Sequence, residues 1–272
     1  IFMYYAIKFG WISTPVPFQN IALDIETLNE GAIAGTYDVT AISFALYPKI
    51  RDDFALLRTA VSFGEGYGPK LIKLKGKRLR HNFKVALSGR HTTNAMLFRI
   101  AYPEARIVYK NFLDIEKAVL DGEVDAGVLI HESILDFDER LEVECEIWDI
   151  WQELAGKPLP LPLGGMALRR SIPLSRAIAI EKALIQAVDV AHIHRGLLAK
   201  MLLERNLVRI DAVALDKYLD LYANETSITM SDIQLEALDR LFQIGYEHNF
   251  YDAPIRAESF MIPHEYMDVR NS

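Results

Sequence analysis

The 272-residue sequence holds a single cysteine, Cys145, so it can close no disulfide within itself. A lone thiol fits a reducing compartment, and a cytoplasmic location is the expectation. No apolar run approaches the roughly 18 residues that a membrane-crossing helix needs. Beyond the short stretch KLIKLKGKRLRH there is no block of basic residues, and the formal net charge is −7. That balance argues against nucleic acid or an anionic membrane as the main partner and points to a small molecule. The opening residues IFMYYAIKFGW are apolar but lack the charged start and small-residue cleavage site of a secretory signal. They read as the interior of a helix, so a preceding segment is expected. Residue 135 is leucine, so His131-Glu132 does not begin the zinc pair His-Glu-x-x-His. GEGYGP, Gly64 to Pro69, lacks the Lys-Ser/Thr ending of a phosphate loop and reads as a turn near the first crossing between lobes. No metal-ligand or nucleotide-binding motif is left, and no metal is expected.

What is present is 51% hydrophobic residues over a length between one large domain and two small ones. Two stretches share a layout: LDIETLNEGAIAGTYDVTAIS from Leu23 to Ser43, and LDIEKAVLDGEVDAGVLIH from Leu113 to His131. Each has an Asp-Ile-Glu helix start, a glycine suited to a helix C-terminus, an aspartate three residues later (Asp38, Asp125) and a short apolar run. A helix feeding a buried strand, twice, predicts two α/β lobes built alike. Between them the chain reads as strand, wet basic loop, strand (Phe83 to Leu87), helix from Thr92 and strand (Arg106 to Tyr109). In RLEVECEIWD, Leu141, Val143, Cys145 and Ile147 alternate with Glu142, Glu144 and Glu146. This is the period of a half-buried strand, with an inert packed thiol and a solvated acidic face. AGKPLPLPLGGMALRRS reads as the second crossing between lobes and ends in a strand. Helices capped by Ser175, Asp211 and Ser231 follow and return to the first lobe. The expected domains are residues 1–79 with 160–272, and residues 80–159.

In open α/β sheets, ligands gather at the carboxyl ends of strands. Ser43 and His131 occupy equivalent ends, one per lobe, where they can face each other across a cleft. Ser88-Gly89 ends another strand, and Thr92-Thr93 opens an apolar helix whose free N–H groups suit a carboxylate. The same residues also fit an ordinary threonine N-cap. A lone histidine at a strand end is more often a structural hydrogen-bonder than a base; location at the cleft is what favours a base. An imidazole, with an ordinary pKa of about 6.5, can take a proton at physiological pH. Glu132 points the other way if the strand continues. His192 and His194 lie two apart in a helix, on different faces, and cannot chelate together.

DIETLN, YDVTAISFALYP, SGRHTTNAMLFRIAYP, DGEVDAGVLIHES and LPLGG, in that order over nearly the whole chain, resemble the 1,4-dihydroxy-6-naphthoate synthase family of the futalosine route to menaquinone. The resemblance implies a two-lobed, periplasmic-binding-protein-like α/β fold of type II around a central cleft, in a cytoplasmic, cofactor-independent lyase. That family converts cyclic dehypoxanthinyl futalosine into 1,4-dihydroxy-6-naphthoate and releases the sugar-derived fragment. Carried over by motif, His131 is implied as general base. Thr92 and Thr93 are implied as holders of the substrate carboxylate, and Ser43 and Asn29 as contacts from the other lobe; Ser88 and Gly89, at the strand end before that helix, are candidate substrate contacts as well. The family's first strand and a Ser-Pro loop with an acidic residue fall before the first residue here, so the first lobe is expected to lack that strand. The alternatives are chorismate dehydratase, which shares fold and pathway, and a non-catalytic solute-binding protein for a small carboxylate. The expected partner is a small carboxylate substrate, with no nucleic acid and no membrane, on a monomer or homodimer.

Overall fold

The structure is a computed structural model that describes residues 2–205, 212–213, 215–216 and 225–264. Two sheets organise it. In the first, β1 (Val39–Ser43), β9 (Leu161–Arg169) and β2 (Phe54–Leu56) lie side by side in the order β1-β9-β2, and β3 (Ser62–Gly64) also pairs with β9. All these pairings are antiparallel. The second sheet runs β6 (Arg106–Tyr109), β5 (Lys84–Leu87), β7 (Ala126–Leu129), β4 (Lys70–Leu74), β8 (Leu141–Glu146). Its β5 is parallel to both neighbours, and β4 is antiparallel to both of its own.

The shared layout is a shared structure. Helix α2 (Ile25–Ile33) feeds β1, and helix α5 (Ile115–Leu120) feeds β7. Gly35 and Gly122 follow the two helices with φ of +63° and +71°. In both, the glycine N–H and the next N–H close back on the last turn: Gly35 to Ala32 and Thr36 to Gly31, then Gly122 to Val119 and Glu123 to Ala118. This pair of bonds satisfies carbonyls that the helix end would otherwise strand. The starts differ. Asp24 caps α2 by accepting from the Glu26 and Thr27 N–H groups, whereas Asp114 makes no such bond. A 3₁₀ turn, Phe112–Asp114, runs straight into α5, and the cap moves upstream to Asn111.

Four expectations need adjusting. A lobe boundary at residues 79/80 is too late: Lys70–Leu74 pairs on both edges within the second sheet, so the crossing is the turn between Gly64 and Lys70. Val143 is not buried but 38% exposed, and just after it the register shifts between Leu71 and Ile72. Glu144 is the extra residue of that bulge and reverses the alternation expected of β8. The acidic face is not simply solvated either, since Lys73 reaches both Glu142 and Glu144, and Lys70 lies 3.8 Å from Glu146. Helix α7 (Leu174–Ile193) starts before Ser175, at a Pro173 cap whose carbonyl accepts from Arg176 and Ala177. Ser231 does cap α9 (Asp232–Glu247), in a capping box with Gln234. The cap expected at Asp211 lies outside the described residues.

One apolar core runs from the first sheet into the second. Phe44, Leu46 and Leu161 share it with Val85, Phe98, Val128 and Trp151, and α9 closes it through Leu238, Leu241 and Phe242. Helix α7 covers part of the first sheet through Ile178, Ile180 and Leu184 against Ala55, Leu57 and Leu168. Helix α5 covers part of the second through Ile115 and Val119. This last contact is close: a Cβ on Gly127 of β7 would lie 2.4 Å from Ile115 Cγ2 and 3.1 Å from Val119 Cγ2. Gly127→Val should therefore cost about 1–3 kcal/mol by overpacking. In urea it should lower the unfolding midpoint at unchanged slope; an unchanged midpoint would mean that α5 does not bear on β7 as drawn.

Candidate active site

The two sheets, with α4 (Thr93–Ala101), α7 and the Ser227 turn, enclose a cavity of about 370 Å³. That lies within the range of about 300–1,000 Å³ usual for small-molecule sites. Its wall is largely apolar, with Ile42, Val61, Ile130 and Leu163 among the lining residues, and polar groups enter from a few places.

From the first sheet comes Ser43, at the carboxyl end of β1, which lines the cavity. Asn29 of α2 fixes it twice: Asn29 Oδ1 accepts from the Ser43 N–H at 2.9 Å, and Asn29 Nδ2 donates to Ser43 Oγ at 3.1 Å. Asn29 is fully buried and is not among the lining residues. Its amide is engaged with Ser43. The sequence had Asn29 and Ser43 as separate contacts; the fold makes one the holder of the other.

From the second sheet comes the loop that follows β5. Ser88 is only 8% exposed, lines the cavity, and its Oγ has no hydrogen-bond partner. A buried hydroxyl without a partner costs free energy unless a ligand or water supplies one. Thr92 is the N-cap of α4, its Oγ1 accepting from the Ala95 N–H at 3.2 Å and donating to Gly89 O at 3.2 Å. Thr93 Oγ1 is committed elsewhere, accepting from the Ala45 N–H at 3.2 Å and donating to Leu163 O at 3.1 Å. Both threonines line the cavity, but their hydroxyls are spent on the fold. What this helix start offers a ligand is the first-turn N–H groups of Thr93 and Asn94, which have no intrahelical acceptor, next to Ser88 Oγ. Gly89 is not a lining residue; its face meets Glu26 instead.

His131 lines the same cavity. The strand does not carry it there: β7 ends at Leu129, and His131 opens a 3₁₀ turn with φ of +54°. Left-handed backbone at a residue with a side chain costs on the order of 1–2 kcal/mol and collects at functional sites. The ring stands edge-on to Phe112, centroids 5.3 Å apart. The orientation expected of the Glu132 side chain lies outside the described residues. Cys145 is half-buried, 3.4 Å from Tyr102 Oη, and burial holds its thiol above the ordinary value, as suits an inert packed group.

Sequence reasoning missed the third wall. Val188, Ala191, His192 and Arg195 all line the cavity. They follow one another at i, i+3, i+4 and i+7, one helical face running from α7 into α8 (Arg195–Glu204). That period was legible, but nothing local said which face would turn to the cleft. His192 lies 4.0 Å from Glu225 and Arg195 lies 3.8 Å from Asp216, both highly exposed acids. His194 lies away from this face, edge-on to Trp11. Among the described residues no group of His, Cys, Asp or Glu is gathered so as to hold a metal ion, and no helix is long and apolar enough to cross a membrane.

A two-lobed α/β protein with its cavity between the sheets, at strand ends and a helix start, is of the periplasmic-binding-protein-like class. A zinc-bound ligand-binding component of an ABC-type import system from Staphylococcus aureus matches it with a TM-score of 0.70 at 11% identity, over 100% of this chain and 94% of that one. Protein AF1704 from Archaeoglobus fulgidus is nearer, with a TM-score of 0.84 at 30% identity over 92% and 93% of the two chains. The profile of the menaquinone biosynthesis family matches residues 1–247, and the chain belongs to that family. Relatives named 1,4-dihydroxy-6-naphthoate synthase come from Thermus thermophilus, 32% identical over 71% of each chain, and from Streptomyces coelicolor, 27% identical over 85% of this chain and 83% of that one.

The geometry of Thr93 gives a prediction. Thr93→Val leaves the Ala45 N–H and the Leu163 carbonyl without their partner and should cost about 1–3 kcal/mol of stability. Thermal melting checks this: a variant as stable as the parent would show that the hydroxyl is free for a ligand after all.

Proposed function

We propose that the chain is a carbon–carbon lyase of menaquinone biosynthesis, a 1,4-dihydroxy-6-naphthoate synthase. It would act in the cytoplasm, without a cofactor, on cyclic dehypoxanthinyl futalosine. The observation that carries the reading is the pairing, around one cavity, of His131 in left-handed backbone with the unpartnered, buried Ser88 hydroxyl beside the start of α4. One is a group able to take a proton; the other is the edge of a carboxylate site.

The steps follow from that layout. The substrate carboxylate accepts hydrogen bonds from Ser88 Oγ and the first-turn N–H groups of Thr93 and Asn94, aided by the helix dipole. Ser43, immobilised by Asn29, meets the ligand from the first sheet. With the carboxylate fixed, the scissile region lies against an imidazole that the 3₁₀ turn holds in one place, which removes the entropic cost of finding it. The neutral imidazole accepts a proton from the substrate, the pair that proton leaves forms a new double bond as the carbon–carbon bond to the sugar-derived fragment breaks, and the cleaved bond's pair departs with the fragment, which takes the proton back from the imidazolium. The remaining ring system becomes aromatic, which supplies much of the driving force. The apolar wall excludes water while this happens.

His131→Asn keeps a polar side chain of similar size and a residue type that tolerates left-handed backbone, but it cannot act as base. Turnover should fall by about 10²–10⁴-fold, with the melting temperature and product affinity little changed. Mass spectrometry of the products formed from cyclic dehypoxanthinyl futalosine, and separately from chorismate, reads the outcome. Near-normal turnover by the variant, or chorismate as the only compound consumed by the parent, would overturn the assignment.

A further inference from the structure

The roles given to the groups around the cavity do not account for Glu26. It is the second residue of α2, in the first lobe, and it makes no ion pair there among the described residues. Its carboxylate instead crosses to the second lobe. Oε1 accepts from the Arg90 N–H at 2.7 Å and from the His91 N–H at 3.2 Å, and Oε2 also lies 3.2 Å from the His91 nitrogen. These are backbone donors of the loop that carries Ser88 and leads into Thr92. The approach is possible because residue 89 is glycine: a Cβ there would stand 2.3 Å from Glu26 Oε2 and 2.5 Å from its carboxyl carbon. The Arg90 guanidinium lies over the Tyr109 ring, 5.4 Å from its centroid, so the loop offers Glu26 its backbone dipoles.

The contact continues inward. Asn29 Nδ2 donates to Glu26 Oε2 at 3.3 Å and to Ser43 Oγ at 3.1 Å. One polar chain therefore runs from the N–H groups of Arg90 and His91 through Glu26 and Asn29 to Ser43. Its two ends, the Ser88 loop and Ser43, are the opposing polar edges of the cavity. The lobes also share a continuous apolar core and the bonds of the Thr93 hydroxyl to the Ala45 N–H and the Leu163 carbonyl; Glu26 adds a carboxylate that ties the loop before α4 to the first lobe.

We infer that Glu26 is a clasp between the lobes, a positioning residue whose carboxylate, bonded to the Arg90 and His91 N–H groups, holds the Ser88 loop against Ser43 in the geometry that receives substrate. A protein whose competent form is only partly populated binds its ligand more weakly by that fraction. Loss of the clasp should then weaken binding while leaving the closed, saturated complex able to turn over. Glu26→Gln removes the charge and presents an amide N–H₂ to donors. A charge-assisted hydrogen bond lost is worth roughly tenfold or more in affinity.

Small-angle X-ray scattering of the ligand-free protein tests this without any assay of turnover. Glu26→Gln should have a larger radius of gyration than the parent, and saturating 1,4-dihydroxy-6-naphthoate should bring the two together. Gly89→Ala, which blocks the clasp from the other lobe without touching the charge, should show the same expansion, and the double variant should expand no further. The kinetic arm rests on the function proposed above: Glu26→Gln should raise KM by about tenfold or more with kcat within about threefold. A ligand-free radius unchanged in both single variants, or a kcat that falls as far as kcat/KM does, would overturn the clasp. If the parent turns over nothing, the functional reading fails and the scattering comparison still decides the clasp.

Discussion

The hydroxyl of Thr93 is the point on which the molecule turns. It accepts from a nitrogen just beyond β1 and donates to a carbonyl of β9, although it stands at the head of a helix that follows the second sheet. Ala45 is buried and Leu163 partly so, and the two bonds lock the helix start into the first sheet's edge. Everything the cavity needs follows from that docking. The first-turn N–H groups are brought beside Ser43, Ser88 is buried between the lobes, and the apolar residues of α4 complete the shared core.

The cavity that results is apolar in its walls and polar at its ends. Among the described residues, the donors beside Ser88 are a hydroxyl and helix N–H groups, without formal charge. Such a site holds a carboxylate by geometry as much as by charge and suits a planar acid attached to a hydrocarbon body. The His192 and Arg195 face of α7 and α8 brings cationic character to another wall, where oxygen-rich parts of a ligand can be met. His131 enters separately, on a turn whose backbone is held in an unfavourable region by its surroundings. Stability is given up there for position, which is the expected sign of a group that must meet one particular atom.

Local chemistry was legible in the sequence, and long-range choices were not. The paired helix-to-strand units could be read because a glycine after a helix and an aspartate three residues on are decided within one turn. Ser231 could be read as a cap for the same reason. The bulge at Glu144 could not, because it is set by how β8 meets β4. Ser43, Ser88, Thr92, Thr93 and His131 were placed at strand ends and a helix start, and the fold does bring them around one cavity. The division of labour among them was hidden. That Asn29 serves Ser43, that the Thr93 hydroxyl serves the fold and that Gly89 makes room for Glu26 each depends on a partner 14 to 70 residues away in the chain. The α7 wall was hidden for a related reason: its period was plain, but its orientation belongs to the tertiary fold.

The central claim is that this cavity binds an aromatic carboxylate with its acid group at the Ser88 and α4 end and its ring system against His131. A crystal structure of the protein with 1,4-dihydroxy-6-naphthoate bound tests it most directly. The carboxylate should lie within hydrogen-bonding distance of Ser88 Oγ and the Thr93 or Asn94 N–H, with His131 facing the ring. A ligand seated the other way round, with its acid on Arg195, or bound outside the cavity altogether, would contradict it.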